Sequence, residues 1–114
     1  MENVALGVHV LLNLYDCEQE VLNDASQIEC ILNYAASQAG MTKVGEASHE
    51  FQPSGITAVI LLAESHICVH TWPEHNMAAI DVFSCTCDDK AHIVTDILIS
   101  KFQAKNFEKQ VCQR

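Results

Sequence analysis

Positive charge is scarce in this chain: six lysines and arginines stand against fifteen aspartates and glutamates, for a formal charge of -9. That balance repels phosphate backbones and anionic lipid, so a nucleic-acid or membrane-surface role is excluded and a cationic ligand is favoured. Glycine and proline are also sparse, four and two among 114 residues, against a hydrophobic fraction of 49%. Collagen-like repeats, low complexity and disorder are excluded in turn. Long hydrophobic runs are missing too. The longest unbroken one, residues 58–63, is far below bilayer-spanning length, and Glu2 stands where an export signal carries positive charge. These absences predict a cytoplasmic protein. The length suits one domain with one core, and such a core makes disulfide staples unnecessary. The six cysteines, Cys17, Cys30, Cys68, Cys85, Cys87 and Cys112, are therefore read as reduced thiols.

Hydrophobic periodicity divides the chain into strands and two helices. Val4 to Tyr15 reads as a mostly buried strand. Val21, Ala25, Ile28, Ile31, Leu32, Ala35 and Ala39 recur at spacings of three and four, which predicts one amphipathic helix closed by Gly40. Met41 to Phe51 is extended, Pro53-Ser54-Gly55 is a turn signal, and Ile56 to Ala63 is a short apolar strand. His66 to Trp72 and Met77 to Cys85 form a hairpin about Pro73-Glu74-His75-Asn76. Asp88 or Asp89 caps a second helix striped by Ala91, Val94, Ile97, Leu98 and Phe102, and Phe107 to Cys112 is a last strand. Runs of strands with two separated helices predict an α+β domain: a two-layer, mainly antiparallel arrangement with both helices on one sheet face. The other face then requires a cover.

Polar chemistry is concentrated in residues 63–74, Ala-Glu-Ser-His-Ile-Cys-Val-His-Thr-Trp-Pro-Glu, within otherwise apolar strands. If the hairpin turns near His75, opposed residue numbers sum to about 150, which sets Ser65 against Cys85 at roughly 5 Å. A slip of one residue would move them to opposite faces. Cys17, Cys30, Cys68 and Cys112 read as small buried hydrophobes, and His9, His49 and His92 carry no recognisable partner. A metal site built on His66, Cys68, His70 and the Cys85-Thr86-Cys87 segment is a rival. Four extended residues hold His66 and His70 about 13 Å apart, too far to share one tetrahedral ion, and no CxxC or HExxH spacing occurs. A Ser-His hydrolase lacks its GxSxG elbow.

Glu64-Ser65-His66, then His70-Thr71-Trp72-Pro73-Glu74, then Ala78-Ala79-Ile80-Asp81 and Phe83-Ser84-Cys85 resemble the small, pyruvoyl-dependent prokaryotic S-adenosylmethionine decarboxylase proenzymes. Weaker likeness extends to Tyr15-Asp16-Cys17 and to Phe51 with the Pro53 and Gly55 turn. The resemblance implies that the single domain 1–114 cuts itself into a β chain, 1–64, and an α chain, 65–114. The Ser65 hydroxyl would attack the Glu64 carbonyl, the ester would eliminate, and position 65 would become a pyruvoyl group. That group would take the place of pyridoxal phosphate, forming a Schiff base with the substrate amine and accepting the electrons released with carbon dioxide. By the same resemblance His70 is the processing base and Cys85 the acid that protonates the substrate carbanion. Phe51 would stack on adenine and Glu74 would hold the ribose hydroxyls, with Tyr15, Leu62 and Glu64 as further pocket candidates. The implied product is the aminopropyl donor for spermidine.

Distance bears on assembly, because five extended residues separate His70 from Ser65 by about 16 Å, beyond proton transfer. A second chain would supply the missing group. The family resemblance implies a homodimer whose sheets stack and whose active sites are shared, which also covers the open face. Several positions depart from the pattern. Thr57 stands where a serine usually assists processing, Ser54 where an aromatic follows the turn proline, Asn13 for an acidic residue, and His75-Asn76-Met77 for a Tyr-Gly-Tyr-like segment. These departures leave a pyruvoyl arginine or ornithine decarboxylase as an alternative, with Glu74 or Asp16 meeting the substrate cation. An uncut, catalytically silent homologue acting as a regulatory partner is a second alternative.

Overall fold

The computed structural model describes residues 6–85 and 89–114. Strand β1, Val8–Tyr15, buries its even-numbered residues, and Val10, Leu12 and Leu14 are essentially inaccessible. The short helix α1, Gln19–Leu22, and the longer α2, Ala25–Gln38, follow. Next come β2, Lys43–Glu50, and β3, Ile56–Leu62, then β4, Ser65–Trp72, and β5, Met77–Ser84. Helix α3, Lys90–Lys101, and β6, Asn106–Gln113, complete the chain. All six strands join one sheet in the order β2-β3-β4-β5-β1-β6, with every neighbouring pair antiparallel.

Alternation along the strands divides the sheet into two faces. On one, Val10, Leu12, Ile60, Val69 and Val82 meet Ile28 and Leu32 of α2 and Val94 and Leu98 of α3. This is the two-layer α+β arrangement expected from the periodicity. Phe102, at the C-cap of α3, is fully buried and closes that layer. On the other face no element covers His9, Leu11, Val59, Cys68 or Phe83 among the described residues, and Trp72 there is 44% exposed. None of the described helices is long and apolar enough to cross a membrane.

Three sequence expectations require correction. The helix predicted to run unbroken from Val21 to Ala39 is split at Asn23-Asp24. Asp24 adopts extended backbone and accepts a hydrogen bond from the Gln27 amide at 3.1 Å, which caps α2 and ends the α1 turn. Gly40 does close α2, with φ 72° and the Met41 amide returning to the Ala36 carbonyl at 2.9 Å. In the β4/β5 hairpin, Trp72 pairs with Met77 and Ser65 with Ser84, so opposed numbers sum to 149, not 150. The connection is a 3-10 turn over Pro73–His75 followed by a left-handed Asn76, a four-residue loop whose centre lies half a residue earlier than expected. Asp89 occupies the N-cap of α3 but makes no side-chain cap bond; Asp88 and Cys87 lie outside the described residues, as do Val4 and Ala5 at the predicted start of β1.

Candidate active site

Polar groups collect at the two ends of β4. At its start, β3 turns into β4 through only Ala63 and Glu64, because Leu62 pairs directly with Ser65. So tight a link places Glu64 in left-handed backbone, φ 61°, a conformation that turns normally give to Gly or Asn. The Ala63 amide anchors the turn by donating to the Thr42 carbonyl at 2.9 Å. Ser65 is the first residue of β4, and its Oγ accepts the Cys85 amide at 3.3 Å. The Cys85 thiol donates to Glu64 Oε2 at 3.3 Å. That carboxylate, assisted by desolvation, holds the Cys85 thiol above its ordinary pKa, so it remains a proton donor. Although the register differs by one residue from expectation, Cys85 lies beyond the end of β5 and curls back onto Ser65.

At the far end of β4, a cleft of about 320 Å³ is lined by Phe51, Thr57, His70, Trp72 and Glu74. Three local features build it. The Pro53-Ser54-Gly55 turn is closed by the Phe51 amide donating to the Gly55 carbonyl at 2.8 Å. Gly55 has φ 103°, and a Cβ there would lie 3.2 Å from the Thr71 carbonyl, so a side chain is doubly disfavoured. Thr71 is buried at the junction: its Oγ1 accepts the Ile56 amide at 2.9 Å and donates to the Leu22 carbonyl at 2.7 Å. Asn23, freed by the helix break, accepts the Gly55 amide on Oδ1 at 3.3 Å. The break between α1 and α2 thus steadies the cleft.

Within this cleft Thr57 faces His70 across the β3/β4 pair, with Oγ1 3.0 Å from Nδ1. The His70 and Trp72 rings are 6.5 Å apart. Phe51 is 49% exposed; its ring meets His49 edge-on at 4.6 Å, leaving apolar surface available for stacking. Glu74 projects from the 3-10 turn, where Gln19 Nε2 holds the Pro73 carbonyl at 3.0 Å.

One chain therefore holds Glu64, Ser65 and Cys85 at one end of β4 and Phe51, Thr57, His70 and Glu74 at the other. Leu62 belongs to the Ser65 end but is packed in the core. Tyr15 ends β1 nearer the His70 end, where its hydroxyl donates to Glu108, whose carboxylate raises the phenol's pKa. Sequence reasoning missed Thr71 and Asn23 as supports. Asn23-Asp24 followed by Gln27 was the available capping signal. The expectations for Cys30, His92 and His9 also change. Cys30 is exposed on α2, His92 Nδ1 lies 2.9 Å from Lys109 Nζ, and His9 Nε2 lies 3.6 Å from Asp81. Among the described residues, no three His, Cys, Asp or Glu converge on a common cation position.

Residues 8–114 match the family model described as S-adenosylmethionine decarboxylase. The S-adenosylmethionine decarboxylase proenzyme of Aquifex aeolicus is 40% identical over 109 residues, covering 96% of this chain and 81% of the relative. That of Thermodesulfovibrio yellowstonii is 43% identical over 101 residues, covering 89% and 75%. The crystal structure of the Aquifex aeolicus adenosylmethionine decarboxylase superposes with a TM-score of 0.92 at 38% identity, over 98% of this chain and 92% of that one. A Trypanosoma brucei AdoMetDC chain shares the fold, with a TM-score of 0.66 at 12% identity, over 92% of this chain and 45% of its own.

Proposed function

The chain belongs to the S-adenosylmethionine decarboxylase family, and on that premise we propose that it is a self-cleaving, pyruvoyl-dependent decarboxylase of S-adenosylmethionine. The observation that carries this reading is the contact set around Ser65: a serine hydroxyl following a left-handed glutamate and touching the amide of a thiol-bearing residue. These residues fit the formation of a pyruvoyl group. The Ser65 hydroxyl adds to the Glu64 carbonyl carbon, the peptide C–N bond breaks, and the amine keeps the proton, leaving an ester between Glu64 and the Ser65 oxygen. His70 removes the Cα proton of residue 65, the Glu64 carboxylate departs, and hydrolysis of the resulting enamine releases ammonia. The left-handed conformation of Glu64 costs about 1 kcal/mol, which cleavage at that residue relieves.

The finished ketone supplies an electron sink for the electrons of the breaking carboxyl bond. What remains is for the chain's own residues to bind substrate and move protons. Phe51 offers an aromatic face to the adenine and Glu74 a two-oxygen acceptor for the ribose diol. The net negative charge favours the sulfonium. Cys85, kept protonated by Glu64, delivers a proton to the carbon that loses carbon dioxide. The product is the aminopropyl donor for spermidine synthesis in the cytoplasm.

The separation of the two residue groups along β4, about 16 Å between Ser65 and His70, favours a homodimer in which each site combines one chain's Ser65 end with its partner's His70 end. Stacking of two uncovered faces would at the same time cover the open side of each sheet. The reading is tested by intact mass and by carbon dioxide release. Wild-type protein is expected as two chains divided between Glu64 and Ser65, and Ser65→Ala as one inactive chain. Turnover of arginine or ornithine in place of S-adenosylmethionine by fully cut enzyme would overturn the substrate assignment.

A further inference from the structure

Cys68 and His70 lie two residues apart on β4, so both side chains leave the uncovered face. Cys68 Sγ is 3.5 Å from His70 Nε2, while Nδ1 of the same ring is 3.0 Å from Thr57 Oγ1. Both ring nitrogens are thus engaged. Flipping the ring would present carbon to both partners, so the pair of contacts selects one orientation of the imidazole. The two contacts also select a tautomer. A hydroxyl is the better donor than a thiol, so the imidazole lone pair takes the Thr57 proton at Nδ1 and the ring N–H falls to Nε2, facing sulfur. Desolvation and the Asp81 carboxylate, opposite Cys68 in the β4/β5 pair, keep this thiol protonated and neutral. It therefore contacts the ring as a neutral group.

We propose that Cys68 is a positioning residue: its sulfur accepts the His70 Nε2–H, which keeps Nδ1, the nitrogen facing the Thr57 hydroxyl, as the basic atom of the ring. This rests on the reading of His70 as the processing base. A buried aliphatic role, the ordinary one for a cysteine in a strand, would be served equally by valine.

The test follows cleavage of freshly made precursor by intact mass. Cys68→Val, which is one methyl larger, and Cys68→Ala, which is smaller, both remove the hydrogen bond, and each is expected to slow cleavage about five- to tenfold. Cys68→Ser is expected to recover most of the rate. In the uncleavable Ser65→Ala precursor, the nitrogen-15 shifts of His70 are expected to report the Nε2–H tautomer while Cys68 is present and a mixture of tautomers once Cys68→Val is added. Cleavage of Cys68→Val at the wild-type rate, or an Nδ1–H tautomer with Cys68 present, would overturn the proposal. His70→Ala separates the two levels. If it stalls while Cys68→Val cuts normally, only the role of Cys68 is lost; if it cuts normally, the reading of His70 is lost as well.

Discussion

Replacing Thr71 by valine tests whether the cleft depends on a single buried hydroxyl. Valine reproduces the shape of threonine, so packing is preserved and only the polar contacts change. The Ile56 amide loses an acceptor at 2.9 Å and the Leu22 carbonyl loses a donor at 2.7 Å, in a site where Thr71 is 5% exposed. Each polar group stranded away from water costs about 1–3 kcal/mol, and partial relief through relaxation sets the expected total at about 2–4 kcal/mol. For a domain of this size that corresponds to a melting temperature lower by roughly 8–16 °C. The assay is thermal and urea unfolding of Thr71→Val in the Ser65→Ala background, where every chain should be uncut, at matched protein concentration because the proposed dimer would make stability depend on it. Because Ile56 precedes Thr57 and Leu22 precedes Asn23, the cut enzyme should also bind substrate more weakly. Thr71→Ser, which keeps the hydroxyl, should recover most of the loss. A Thr71→Val protein within about 0.5 kcal/mol of its parent, the scatter of neutral surface changes, would refute the reasoning.

Three further outcomes follow from the same geometry. Cys85→Ala is expected to cut itself substantially yet lose about 10²-fold or more in turnover, read by intact mass and carbon dioxide release, because it removes the proposed proton donor and keeps the proposed processing base. Gly55→Ala is expected to destabilise by about 1–3 kcal/mol in urea unfolding and to raise KM, since φ 103° and the Thr71 carbonyl at 3.2 Å both oppose a Cβ. Asp24 accepts the Gln27 amide, which holds its carboxyl below the ordinary value of 3.8, so the cap stabilises most when ionised. The stability deficit of Asp24→Ala is therefore full above that ordinary value and vanishes as pH falls through the depressed one, as stability curves against pH would show.

Strand content was legible because Val8–Tyr15, Ile56–Leu62 and Met77–Ser84 alternate or run apolar over the length of a strand, and burial follows that pattern. The helix break was not, because the three-and-four spacing of Val21, Ala25 and Ile28 continues across Asn23 and Asp24; only the cap contradicts it. Register failed by one because the loop's geometry, a 3-10 turn with left-handed Asn76, is decided by local backbone preferences that periodicity does not carry. Ser65, His70 and Cys85 were singled out by family likeness, and their grouping depends on β3/β4 and β4/β5 pairing. The His70 contacts to Thr57 and Cys68 needed that pairing and the side-chain geometry.

Shared active sites are tested most directly by complementation between two defective precursors. On the proposed roles, Ser65→Ala lacks the nucleophile and His70→Ala the processing base, so each made alone should remain uncut. In a mixed dimer, one composite site joins Ser65 from the His70→Ala chain to His70 from the Ser65→Ala chain. Co-expressed in equal amounts with random pairing, about half of the His70→Ala chains should be cut between Glu64 and Ser65, while Ser65→Ala stays whole. Intact mass distinguishes the two chains. A mixture in which the His70→Ala chain stays as intact as it is alone would contradict sites built across the dimer.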